Sequence, residues 1–99
     1  MANSTSTKYW ILDTESNTTP LSYDATLPLR MVWKPSAAAQ ELLVKNKNGI
    51  VVWKETSLTS YPAGRMVWEN PGKGNPEPID GFWLYTLTSG GTLEVDMGI

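Results

Sequence analysis

The tetrapeptide Arg-Met-Val-Trp occurs twice, at Arg30-Met31-Val32-Trp33 and Arg65-Met66-Val67-Trp68, and a third Val-Trp pair lies between the copies at Val52-Trp53. A β-branched residue beside an indole suits a pleated, half-buried surface. Within a few residues of each pair the chain meets Pro, Ser, Asn or Gly, which punctuate strands with turns. The pattern confines the chain to repeated short strands. The sequence between the two copies does not repeat, and a repeat array needs at least three units to bury its core. The echo therefore marks two strands in similar surroundings.

The rest of the chain fills in the strand order. Tyr9-Trp10-Ile11-Leu12 predicts a first strand after a polar arm, residues 1–8. Residues 21–27 predict a second short strand, ending before Pro28, and 29–34 the first Val-Trp strand. Pro35-Ser36-Ala37-Ala38-Ala39-Gln40 is too short for a helix despite its alanines, so it reads as a loop or at most one helical turn. In 41–55, Leu42 and Val44 alternate with Glu41, Leu43 and Lys45, and Asn48-Gly49 precedes Ile50-Val51-Val52-Trp53. Asn-Gly accepts the positive φ of a tight turn, so this is a β-hairpin. Residues 64–69 and 79–87 predict further strands, separated by the proline- and glycine-rich loop 70–78. Thr92-Leu93-Glu94-Val95-Asp96-Met97 alternates polar with apolar, as a strand with one wet face does. About seven short strands with turns between them predict an all-β fold: one small antiparallel β-sandwich, or a partly open barrel, over residues 9–99, with an extended N-terminal arm.

Composition narrows the function classes. At 99 residues the chain forms one domain, able to bury roughly 60–65% of its unfolded surface. Five Trp and 40% hydrophobic residues exclude a disordered chain. The net charge is −2 with no basic run, which argues against nucleic acid as a partner. Without Cys there are no disulfides, thiolate nucleophiles or zinc–sulfur sites. No apolar run reaches the ~20 residues of a membrane helix, and the small hydroxylated N-terminus does not read as a secretory signal. No membrane partner is expected.

Candidate chemistry is sparse. There is no His, the usual acid–base group. Glu94 and Asp96 share one strand face and are candidates for the carboxylate pair that glycoside hydrolysis uses, but alternation alone explains them as the wet face of an amphipathic strand. Gly72-Lys73-Gly74 lies among prolines and lacks the strand-to-helix context of a phosphate loop. Asp13-Thr14-Glu15-Ser16-Asn17 has the oxygens of a calcium loop without its spacing, and turn chemistry accounts for the same residues. No catalytic residue, cofactor or metal is assigned, and the chain is expected not to be an enzyme. The strands around 50–53 and 82–85 are apolar at both parities, so both faces of each need cover. In a domain this small the second cover is expected from another chain.

Tyr9-Trp10-Ile11-Leu12-Asp13-Thr14, Leu29-Arg30-Met31-Val32-Trp33, the hairpin over 42–53 and Ile79-Asp80-Gly81-Phe82-Trp83-Leu84-Tyr85-Thr86-Leu87-Thr88-Ser89-Gly90 together resemble the small β-sandwich head-decoration (cement) proteins of tailed bacteriophages. The resemblance spans most of the chain after the arm, in pattern rather than in a diagnostic motif, and carries over no functional residue. It implies a non-enzymatic subunit on the outer capsid surface of a virion, made in the host cytoplasm, with the major capsid protein and other copies of itself (a dimer or trimer) as partners. The loop 70–78 is longer than that resemblance leads one to expect. Apart from the resemblance, the polar arm, residues 1–8, reads either as an attachment to neighbours that adds a strand to an exposed sheet edge or as a frayed terminus with no role. A different class of function is a carbohydrate-binding module with a platform of Trp33, Trp53, Trp68 or Trp83; a third is an enzyme inhibitor acting through loop 70–78.

Overall fold

The computed structural model describes residues 3, 8–16, 18–72 and 77–97. Its seven strands are β1 (Tyr9–Leu12), β2 (Pro28–Lys34), β3 (Glu41–Lys45), β4 (Val51–Thr56), β5 (Met66–Glu69), β6 (Trp83–Leu87) and β7 (Thr92–Met97). They form two antiparallel sheets, ordered β1-β7-β2-β5 and β4-β3-β6, not closed into a barrel. Among the described residues there is no helix. The fold is the all-β sandwich that the strand and turn pattern predicts.

Cross-strand register explains which residues make the core. In the four-stranded sheet Trp10, Val95, Met31 and Trp68 stand side by side, as do Leu12, Leu93, Trp33 and Met66. Successive side chains alternate between faces, so these two rows share the inner face. The three-stranded sheet answers with Leu42, Val44, Trp53, Leu84 and Leu87. Phe82 fills the space between, its ring edge-on to Trp10 at 5.3 Å. Burying each such side chain contributes about 1.5–3 kcal/mol relative to leaving it in water, and these residues form one continuous cluster.

The hairpin β3–β4 forms where Asn48-Gly49 places it, but through a longer loop than a two-residue turn. Asn46 N–H donates to the Ile50 carbonyl at 2.9 Å, and Gly49 N–H donates to the Asn46 carbonyl at 3.0 Å. Gly49 alone in this loop takes a left-handed φ, +85°. Asn46 Oδ1 accepts from the N–H groups of Asn48 and Ile50 and so holds the loop from within. Three loop residues with glycine in the left-handed position is the next most common hairpin geometry.

Three strand expectations change: the one over 64–69 shortens to β5, Met66–Glu69, and two others change further. Residues 21–27 do not make a strand, only the isolated bridges Ser22–Phe82 and Thr26–Ile79. The chain bends between them, with Ser22 Oγ donating to the Asp24 carbonyl. The strand expected over 79–87 begins at Trp83, because Gly81, at φ +85°, turns the backbone between Ile79 and β6. Glu15, Ser16, Leu21 and Ser22 cover the outer edge of β6 and of Phe82 before it. Ser16 N–H donates to the Leu84 carbonyl, Leu87 N–H to Glu15 Oε1, and Leu21 and Ser22 N–H to the Phe82 carbonyl. An edge covered in this way offers no template for further strands.

Residues 35–40 form no helical turn. Ala39 takes a left-handed φ of 61°, and Gln40 turns inward. Gln40 Oε1 accepts from Ser36 N–H, its Nε2 donates to Ser36 Oγ, and its backbone N–H donates to the buried Ser57 Oγ, which donates in turn to the Ala37 carbonyl. This polar knot replaces the hydrogen bonds a helix would have supplied.

Candidate interaction surface

The same register that buries one face of the four-stranded sheet composes the other. Tyr9, Asp96, Arg30 and Glu69 form one row across β1, β7, β2 and β5, and Ile11, Glu94, Val32 and Val67 form the next. Beyond them Thr92 stands beside Lys34. Tyr9 and Ile11 are each 45% exposed and Val67 41%, while Val32 is buried beneath its neighbours. The second row is thus apolar except at Glu94, and it is bordered by a row of alternating charges: Asp96, Arg30, Glu69.

Glu94 organises the centre. Its Oε2 pairs with Lys34 Nζ at 2.8 Å, and its Oε1 accepts a hydrogen bond from the Tyr9 hydroxyl. Lys34 Nζ also lies 5.2 Å from the centre of the Tyr61 ring, within the range of a cation–π contact. Burial pushes the Glu94 carboxyl up, but the hydrogen bonds from Lys34 and Tyr9 outweigh it and hold the group below the usual carboxylate range. The bond to Glu94, with burial and the carboxylate's charge, pushes the Tyr9 phenol up to about 12. The bond to Glu94 likewise raises Lys34. These shifts stabilise each group in its ordinary charge state at neutral pH. They do not move a proton donor toward neutrality, as acid–base catalysis requires.

The sequence-derived candidates fall in different places. Glu94 and Asp96 do share the outer face, but Glu94 is committed to Lys34 and Tyr9. The four indoles do not share a surface. Trp33 and Trp53 lie in the core from opposite sheets, Trp68 packs half-buried against it, and only Trp83 faces outward. Trp83 Nε1 donates to the Ser16 carbonyl, and its ring meets Tyr85 edge-on at 5.3 Å. Lys45 Nζ sits 3.8 Å from the Tyr85 ring centre and 5.8 Å from that of Trp83. The outward apolar side of β6 is therefore covered from within the chain, by Lys45 and the 15–16 segment. On the hairpin, Ile50 and Val51 remain exposed.

The oxygens of 13–16 are used in folding. Asp13 Oδ1 accepts from Thr14 Oγ1, Glu15 Oε1 from Leu87 N–H, and the Ser16 carbonyl from Trp83, while Ser16 Oγ donates to the Thr19 carbonyl. Asn17 lies outside the described residues, and no group of three metal-ligating side chains occurs among those described. A shallow cleft of about 390 Å³ separates Asp13 and Thr14 from the turn 89–92. Lys73 and Gly74 of the glycine-lysine-glycine motif also lie outside the described residues. The loop carrying them closes on Asn70, whose Nδ2 donates to the Pro28 and Glu77 carbonyls and whose Oδ1 accepts from Gly72 and Glu77 N–H. Of the arm, Asn3 and Lys8 are described. Asn3 Oδ1 accepts from Asp13 and Thr14 N–H, its Nδ2 donates to the Thr14 carbonyl, and the Lys8 carbonyl accepts from Met97 N–H. No family model, curated protein or solved structure matches this chain.

Proposed function

We propose that this chain is a non-enzymatic structural subunit that works by assembly, decorating and stabilising a phage capsid through contacts with the major capsid protein and with other copies of itself. The observation that supports this reading most is the outer face of the four-stranded sheet, where Tyr9, Ile11 and Val67 stand exposed among charged side chains on a framework whose other face is the core. Such a face offers shape and charge to a neighbour, and its Glu94, Lys34 and Tyr9 are tied to one another by hydrogen bonds. The resemblance to cement proteins supplies the setting. The carbohydrate-binding alternative loses Trp33 and Trp53 to the core.

Co-sedimentation tests the reading. Purified protein mixed with undecorated capsid shells of tailed phages is expected to pellet with a shell at a saturating ratio and to raise the temperature at which that shell ruptures. Protein left in the supernatant by every shell, with rupture unchanged, would remove the capsid from the proposal.

A further inference from the structure

We propose that the outer face of the four-stranded sheet is self-complementary and docks against the same face of a second copy about a two-fold axis. This deepens the assembly reading above by naming the surface and its occupant, and it rests on that reading only for its setting. A two-fold axis can lie in the plane between two facing sheets, parallel to their strands and midway between β7 and β2. It then brings β7 of one copy over β2 of the other and β1 over β5, and each cross-strand row meets itself.

The strand register fixes which residues then meet. In the first row, Asp96 faces the partner's Arg30, Arg30 faces the partner's Asp96, and Tyr9 faces the partner's Glu69. In the second row, Ile11 meets the partner's Val67, and Glu94, already neutralised by Lys34, meets the partner's Val32. Lys34 falls opposite the partner's Thr92. No like charges oppose each other. Arg30 and Asp96 are also side by side within each sheet, so the two copies would close a ring of four charges that alternate in sign. Isologous two-fold contacts need this kind of self-match, and a row of charges placed at random along four strands has no reason to supply it.

The size of the face sets the strength. Four strands at ~4.8 Å spacing and about five residues at ~3.3 Å rise give a patch of roughly 15–20 Å on a side. Two such patches bury roughly 450–800 Å² in total on flat geometry, below the range of stable specific interfaces, and call for a weak, transient, salt-sensitive dimer held by its charge match. Facing sheets pack at about −30°, so the corners diverge. The two Arg30–Asp96 contacts flank the axis and should decide association.

Sedimentation equilibrium on the full chain, over a concentration series at low salt, tests this. The parent should dimerise with a dissociation constant of roughly tens to hundreds of micromolar, as so small an interface allows. Arg30→Asp and Asp96→Arg each place like charges across the axis twice. Each alone should weaken association at least about tenfold. Mixed one to one, the two variants should associate again as a heterodimer, because each then faces opposite charges. Both positions are exposed, and circular dichroism melts of the separate variants check that the fold survives. A parent that stays monomeric up to about 1 mM, beyond any useful affinity, overturns the proposal. So do single variants that dimerise like the parent, or a mixture that stays monomeric. No shell is present in this experiment, so its failure and a failure to bind capsid are read separately.

Discussion

Lys34 Nζ lies 2.8 Å from Glu94 Oε2 on the solvent side of a sheet whose reverse is core. A carboxyl held below its ordinary 4.5 contributes stability that is complete above that value and is lost as pH falls through the lowered one. Lys34 and Tyr9 act at the other end. Their raised values contribute stability that is complete below 10.5 and 10.0 respectively and is lost as pH rises through the raised ones, about 12 for Tyr9. Glu94→Gln should therefore flatten the acid limb of the stability profile and bring ionisation of Tyr9 down toward 10.0. Phenolate absorbance during an alkaline titration, with Tyr9→Phe to identify the component, measures the second effect directly.

Gly49 and Gly81 share a φ of +85° but not their surroundings. A methyl group on Gly49 meets nothing within 4 Å, so Gly49→Ala should cost only the backbone term, about 1–2 kcal/mol. On Gly81 it would lie 2.7 Å from Lys47 Cβ and 2.9 Å from the Ser22 carbonyl oxygen. Gly81→Ala should cost an additional ~1–3 kcal/mol for overpacking. Urea unfolding of the pair checks the ordering, and Gly49→Val should be worse than Gly49→Ala because a β-branched residue resists this φ.

Trp53 fills the core from β4, and its Nε1 donates to Glu55 Oε2 at 2.9 Å. Trp53→Ala should destabilise by about 3–5 kcal/mol, a large share of the stability of a small domain. A thermal melt within a degree or two of the parent would contradict this burial.

Ser57 is buried and connects two loops through one hydroxyl. Ser57→Ala leaves Gln40 N–H and the Ala37 carbonyl without that partner and should cost about 1–3 kcal/mol. Amide hydrogen exchange should quicken at Gln40 before it does in the sheet centres.

Strands are legible in the sequence because each carries its own signal. Leu93, Val95 and Met97 are buried as their alternation requires, and Asn48-Gly49 marks the hairpin. The segment over 21–27 misleads because a bend between two isolated bridges leaves no continuous pairing and no period to read. The apolar run Phe82-Trp83-Leu84-Tyr85 implies cover on both faces, which is so. Its outer cover comes from Lys45 and the 15–16 backbone, which no local pattern connects to it. The outer face of the four-stranded sheet is hidden for a related reason. Tyr9, Arg30, Val67 and Asp96 are scattered over the whole chain, and only the pairing of four strands makes them neighbours. The polar knot at Gln40 is equally invisible, because its residues look like ordinary loop residues.

β7 is a central strand of its sheet, between β1 and β2, although it is the last strand in sequence. Until residues 92–97 have been synthesised, β1 has no strand to pair with, and β2 can pair only with the short β5. The β3–β4 hairpin needs no such wait and can form as soon as it emerges. Assembly is thus expected to proceed from the smaller sheet to the larger. The slow step is closure of contacts some sixty or more residues apart, the regime in which folding takes milliseconds to seconds. During that interval the inner rows of β1 and β2, with Trp10, Met31 and Trp33, stand open to water. The nascent chain would therefore be most exposed to misassociation before β7 is made, a vulnerability absent from the finished protein.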